Sequence, residues 1–198
     1  MSKIIFLNGC GSSGKTSIAK AIGHESPELW LSFGVDTFID MIPFGRQEPY
    51  LKFIPGQNER GPTMHVESEA EGGKLFSVMP QFAEMLATCG NNLIIDEVLF
   101  DEEALKAYVQ HLKAHTVYYI GVFCDIAVMQ EREVLRRDRC IGLSNDQIDR
   151  VHQGALNSYD FKVDTTAISP FEAARLILKF VVDTPSPKAL QSLGNIGS

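Results

Sequence analysis

The chain has 198 residues, 44% of them hydrophobic and 22% charged, with a formal net charge of −7. That length suits one domain with a sizeable core, and the acidic balance argues against a nucleic-acid backbone as the main partner. No apolar run reaches the roughly eighteen residues of a bilayer span, and the apolar stretch Ile4–Leu7 is too short for a secretory leader. Four cysteines, Cys10, Cys89, Cys124 and Cys140, are scattered without a CxxC pair. This points away from a zinc site or a disulfide framework and towards a reduced, cytoplasmic protein.

In chain order, apolar stretches with strand character alternate with longer helical patterns. The strand Lys3–Asn8 precedes a helix over Lys15–Gly23, and the strand Trp30–Val35 is followed, after a long gap, by a helix over Met79–Thr88. Then come the strand Asn92–Asp96, the helix Glu102–His111, the strand Val117–Cys124, and helices over Ile126–Asp138 and Asn145–Ala155. The strand Phe161–Asp164 and the helix Pro170–Val182 complete the set. The alternation predicts an α/β fold with a five-stranded parallel sheet flanked by helices, because parallel neighbours need crossover connections. Ligands of such sheets bind beyond the carboxyl ends of the strands.

Two regions depart from this pattern, one within and one beyond a predicted domain of residues 1–183. Pro43–Gly73 is rich in Gly, Pro and polar residues and has no clear period. It reads as either a flexible loop or an insertion covering the substrate, and the second is preferred because long ordered loops beside a site usually serve it. Residues 184–198, with Pro-Ser-Pro and a final Gly-Asn-Ile-Gly-Ser, read as a poorly ordered tail.

The chemistry concentrates after the first strand. Gly9-Cys10-Gly11-Ser12-Ser13-Gly14-Lys15-Thr16 fits GxxxxGK[ST] at every required position, and Ser17 continues into an amphipathic helix carrying Ile18, Ala19 and Ile22. Glycines let the chain turn with its N–H groups inward, and the helix behind it begins with unpaired donors and a positive dipole end. Lys15 supplies a cation for the transferring phosphates and the Thr16 hydroxyl a ligand for Mg²⁺, so ATP with Mg²⁺ is the expected pair. A thiol at a helix N-terminus can be reactive, but Cys10 reads first as a small residue that fits the turn.

Leu93-Ile94-Ile95-Asp96 ends a buried strand in an acid suited to holding Mg²⁺ directly or through water. Glu97 points to the other side of that strand and reads as structural. Asp36 ends the second strand and has two readings: the base that takes a proton from an acceptor hydroxyl, or the N-cap of a helix at Thr37-Phe38-Ile39. Arg132 and Arg136 lie four apart, and Arg139 joins their face if the helix continues. Three stacked arginines call for an anion opposite, and a triphosphate fits.

Taken together, these residues resemble the chloramphenicol phosphotransferase family, whose fold is related to nucleoside monophosphate and shikimate kinases. The resemblance rests on Leu7-Asn8-Gly9 through Thr16, Trp30–Asp36, Leu93–Val98, Cys124-Asp125, Arg132-Glu133, Arg136, Asp138-Arg139, Val151-His152 and Val163-Asp164-Thr165-Thr166. It implies that Asp36 is the base for the acceptor hydroxyl, that Arg136 and Arg139 belong to a lid over the phosphates, and that Asp164, Thr165 and Thr166 lie near the nucleotide base. Cys10-Gly11 and the longer Pro43–Gly73 are departures from the family pattern, and the second falls where the acceptor would be held. The expected activity is transfer of a phosphoryl group from ATP to a hydroxyl of a small molecule. A kinase for a metabolite or nucleotide, and a slow ATPase switch without an acceptor, are the alternatives.

Overall fold

The structure is a computed structural model and describes residues 2–136 and 140–194. Five strands form one parallel sheet: β1 (Lys3–Asn8), β2 (Trp30–Gly34), β5 (Asn92–Glu97), β6 (Thr116–Phe123) and β7 (Phe161–Asp164), in the order β2-β5-β1-β6-β7. Between β2 and β5 the chain makes a separate antiparallel hairpin of β3 (Leu51–Asn58) and β4 (Gly61–Ser68). The helices are α1 (Lys15–Glu25), α2 (Val35–Ile39), α3 (Ala70–Phe76), α4 (Met79–Thr88), α5 (Glu102–Leu112), α6 (Ile126–Leu135), α7 (Leu143–Gln147), α8 (Pro170–Asp183) and α9 (Ala189–Gly194).

Successive side chains of β1 enter opposite cores, as the two-residue period of a strand requires. Ile4 and Phe6 pack with Leu93, Ile95 and Tyr119 beneath α4 and α5, whereas Ile5 and Leu7 pack with Ile94, Tyr118 and Ile120 beneath α1 and α8. Burial on both faces explains the near-continuous apolar runs. The helices bury matching stripes, as in Ala173, Ala174, Ile177 and Val181 of α8, which starts from a reciprocal cap between Ser169 and Glu172.

Register decides what meets at the carboxyl edge. Asp96 sits between Leu7 of β1 and Gly34 of β2. The phosphate loop, Asp96 and Asp36 therefore leave three adjacent strand ends. Gly34 is needed there because a Cβ at this position would lie 2.0 Å from the Asp96 carbonyl oxygen.

One region holds structure that the sequence did not show, and three expectations need correction. Pro43–Gly73 contains the hairpin and the start of α3; its strands carry Pro55, Gly56 and Pro62, and of its sixteen residues only Leu51 is buried, so no period was visible. The helix expected over Asn145–Ala155 stops at Gln147 and resumes only as a 3₁₀ turn at Gly154–Asn157, since Val151 turns into the core and Gly154 takes a positive φ of 51°. The helix expected to reach Asp138 ends at Leu135, and Arg136 has extended backbone, so Arg132 and Arg136 do not continue one helical face. Asp138 and Arg139 lie outside the described residues.

Finally, residues 189–194 of the tail expected to be poorly ordered form α9, and residues 195–198 lie outside the described residues. Leu190 is buried, and the Lys188 and Ala189 amides donate to Asp160 Oδ1 at 2.7 and 2.8 Å. That carboxylate holds the helix start, and the apolar side chain anchors it on the core. Among the described residues, no helix is long and apolar enough to cross a membrane.

Candidate active site

The phosphate loop needs two left-handed residues, Ser12 (φ 62°) and Gly14 (φ 99°), to wrap before α1 begins. Lys15 is buried, and its ammonium donates to the carbonyls of Gly9 at 3.0 Å and Cys10 at 2.9 Å, with Asp96 Oδ1 3.5 Å away. Thr16 Oγ1 donates to Asp96 Oδ2 at 2.6 Å, which joins the two residues expected at the metal. The hydroxyls of Ser12 and Ser13 are buried without a hydrogen-bond partner. Unsatisfied buried donors around a lysine are what a loop shaped for an anion leaves behind.

Ser12, Gly14, Lys15, Thr16 and Ser17 line a cavity of about 340 Å³ that also meets Asp96, Arg132, Arg136 and Thr165. Gly9 and Cys10 contribute through the carbonyls that hold Lys15, not through their side chains. The Cys10 thiol is turned among Met129 and Val151, where burial pushes its pKa up to about 11. Alkylation of the native protein should therefore strike exposed Cys89 well before Cys10. Mass mapping at short reaction times checks this, and equal labelling of the two would contradict it.

Arg132 has a bracing geometry. Its guanidinium reaches Ser12 O at 3.4 Å, Thr165 Oγ1 at 3.2 Å and Thr165 O at 2.9 Å, and so ties the phosphate loop to the segment after β7. Thr165 Oγ1 adds a bond to Ser13 O at 2.7 Å. Of the expected base-side trio only Thr165 lines the cavity; the Asp164 carboxylate is occupied by Thr166, whose hydrogen bonds hold its pKa below the usual range.

Asp36 is the second residue of α2, not its cap. Gly34 takes the N-cap position, and its amide donates to Thr37 Oγ1 at 3.2 Å. This removes the N-cap reading. Asp36 lines the phosphate-side cavity together with Val35 and Val98, and the same three residues line a second, larger chamber of about 590 Å³. Leu51, Phe53 and Val66 of the hairpin, Phe76 after it, and Leu99 and Phe100 beyond β5 give that chamber apolar walls.

Several supporting residues were missed in the sequence. Gln147 of α7 lines the chamber, and its Oε1 accepts from the Gly11 amide of the phosphate loop at 2.6 Å. Buried Glu133 accepts from the Gly142 and Ser144 amides at 2.9 and 2.7 Å, fixing the start of α7. The hairpin is stitched to this helix by Asn145 to Pro62 O at 2.8 Å, by Met64 N to Gly142 O at 3.0 Å, and by the Arg60–Asp149 pair. Asn8 is fully buried; its amide donates to the Tyr159 hydroxyl at 2.8 Å and its Oδ1 accepts from Leu99 N at 2.9 Å. A polar residue ending an apolar strand was the one visible sign of this role.

His152 stacks on Phe123 with centroids 4.0 Å apart, and its Nδ1 lies 2.7 Å from the Tyr159 hydroxyl. Burial, aided by the Lys15 charge, lowers its pKa from 6.5 to about 4. Between those values the unfolded chain binds the proton more readily, so stability rises with pH across this window and falls on acidification. The ring is still partly exposed, which holds the loss to about 1–2 kcal/mol. The melting temperature should fall between pH 6.5 and 4 in the wild type and less in His152→Phe. Equal losses in both proteins would exclude this residue as the cause.

A phosphate loop on the first strand, an acid on the neighbouring strand end and a second chamber beside them define a P-loop kinase. The chain belongs to the chloramphenicol phosphotransferase-like family, whose model matches residues 2–182. A Mycobacterium tuberculosis (strain H37Rv) protein, named provisionally as an O-phosphotransferase, is 29% identical over 203 residues, covering 96% of this chain and 87% of that one. A sugar kinase from Janibacter sp. HTCC2649 superposes with a TM-score of 0.62 at 16% identity, covering 93% of this chain and 97% of its own. The Mycobacterium tuberculosis APS kinase, solved with AMPPNP and APS, gives 0.61 at 12% identity, with 91% and 98% covered.

Proposed function

We propose that this phosphotransferase moves the γ-phosphoryl group of ATP to a hydroxyl of a small, largely apolar molecule. The observation that carries the reading is Asp36, which faces the phosphate-side cavity and the apolar chamber at once. A hydroxyl lying at this junction gives its proton to the Asp36 carboxylate as its oxygen bonds to the γ-phosphorus, and the bond from phosphorus to the β-phosphate oxygen breaks to release ADP. Lys15 and the unpartnered hydroxyls of Ser12 and Ser13 bind phosphate oxygens, as their burial and donor chemistry fit. Arg132 holds the loop in shape; Arg136, and Arg139 by the family resemblance, place positive charge over the transferring group.

Among the described residues, no group of three or more metal-ligating side chains exists. Thr16 and Asp96, already 2.6 Å apart, fit a Mg²⁺ ion whose other ligands are phosphates and water. Such an ion supplies charge neutralisation of the phosphates. A cytoplasmic location suits ATP use and the four free cysteines. A slow ATPase switch would leave the large chamber without a use.

The test is ATP consumption by the full chain with phenicols, other hydroxylated antibiotics, sugars and nucleosides in turn. Stimulation by an apolar alcohol, with its phosphate ester found by mass spectrometry, is the expected result. Turnover that no acceptor stimulates would remove the kinase reading in favour of the switch.

A further inference from the structure

The acceptor chamber holds a carboxyl group that the proposed chemistry does not use. Glu97 lines this chamber at the end of β5, and its side chain is buried with Oε1 accepting from the Tyr108 hydroxyl at 2.6 Å and Oε2 from the Val98 amide at 3.2 Å. Among the described residues, no cation lies within ion-pair distance of it. Burial makes this carboxyl costly to ionise and pushes its pKa up to about 7, and a glutamine could bond to Tyr108 without that cost. A carboxyl retained there still has oxygen lone pairs to offer a ligand, since two hydrogen bonds do not saturate it.

The other charged groups around the chamber are already engaged. Asp101 caps α5 by accepting from Ala104 N at 2.7 Å. Asp146 is held by Arg150 and by His65, whose Nδ1 lies 3.1 Å away. Arg150, the one basic residue lining the chamber among those described, is paired with that acid and lies 4.3 Å over the Phe100 ring. Among the described residues lining the chamber, no cation is free to receive an acceptor carboxylate, which would also bring Glu97 no hydrogen-bond donor. Asp36 and Glu97 leave neighbouring strand ends, the first two residues beyond Gly34 and the second one beyond the Asp96 that pairs with Gly34.

We infer that Glu97, held by Tyr108, is the specificity-determining residue of the acceptor chamber: it takes a hydrogen-bond donor from an apolar alcohol and turns away alcohols that carry an acidic group. The inference rests on the reading of this chamber as the acceptor site. It predicts an acceptor with two polar points, a reacting hydroxyl at Asp36 and an N–H or second O–H at Glu97, on an otherwise apolar body. A donor meeting a buried carboxyl oxygen makes a hydrogen bond whose loss leaves that oxygen unsatisfied.

The experiment uses 4-(hydroxymethyl)benzamide and 4-(hydroxymethyl)benzoate, which share hydroxyl and ring and differ in the distal group. Binding of each to the full chain at up to millimolar concentration is measured by ligand-observed NMR, and turnover by phosphate-ester formation from ATP. The amide should bind at least about tenfold more tightly than the carboxylate, the equivalent of one hydrogen bond. Glu97→Gln should cut that ratio to within about threefold, a change of preference that a merely structural role would not produce. If this variant does not fold, Tyr108→Phe tests the same point: freeing one carboxyl oxygen should widen the ratio. Equal binding of the two probes, binding of neither, or a ratio unmoved in the folded variant overturns the inference. Preferential binding of the amide without phosphate transfer would leave it standing and count against phosphoryl transfer to a hydroxyl held in this chamber. Equal phosphorylation of both probes would do the reverse.

Discussion

Asp36→Asn should cut acceptor phosphorylation by about 10²–10⁴-fold while leaving nucleotide affinity nearly unchanged. Asparagine keeps the size of the side chain and its place in the first turn of α2 but cannot take a proton. The helix does not depend on Asp36 for its cap, because Gly34 and Thr37 form that end. The favourable position of a negative charge near the helix N-terminus is worth about 0.3–1 kcal/mol. Asp96→Asn is the contrasting variant. Asp96 accepts from Thr16 and lies beside Lys15, so its loss should raise the Mg²⁺ concentration needed and weaken nucleotide binding along with turnover. Titrations with a fluorescent ATP analogue, paired with steady-state rates, separate the two patterns. An Asp36→Asn enzyme working at near wild-type rate would end the case for this base and leave the nucleotide site intact.

Lys15→Ala should weaken nucleotide binding by roughly 1.5–3 kcal/mol, about ten- to a hundredfold, and depress turnover further. Two effects act together. The cation that faces the phosphates is lost, and so are the bonds that draw the Gly9 and Cys10 carbonyls towards the loop centre. Asp96 is also deprived of the ammonium 3.5 Å away, so like charge builds up where phosphates must enter. Wild-type binding and turnover in Lys15→Ala would refute the phosphate-loop assignment.

What the sequence made legible was local. The strands of the parallel sheet are buried on both faces and read as short apolar runs, so Lys3–Asn8 and Phe161–Asp164 were found to the residue. The phosphate loop was visible because its chemistry is written in consecutive positions. The hairpin was not, since prolines and glycines interrupt strands that are mostly exposed and pair only with each other. The bond between Gly11 and Gln147 joins positions 136 apart and has no local signature. Arg132 lines the cavity to which its charge spacing pointed, but only the fold shows that its guanidinium also ties Ser12 to Thr165. Glu97 was read as structural from strand alternation, which gave the direction of its side chain but could not show that a chamber lies on that side.

The separateness of the β3–β4 hairpin bears on how such a protein can diversify. Its ladder is closed within itself and shares no strand with the parallel sheet that carries the phosphate loop. It supplies Leu51, Phe53 and Val66 to the chamber wall and is fastened to α7 by a small set of polar contacts. Changes of sequence or length there would alter that wall while leaving the ladder of the parallel sheet as it is. One wall of the chamber thus lies on a piece of chain that can be altered apart from the sheet, whereas Asp36 and Glu97 stay at the sheet's own edge.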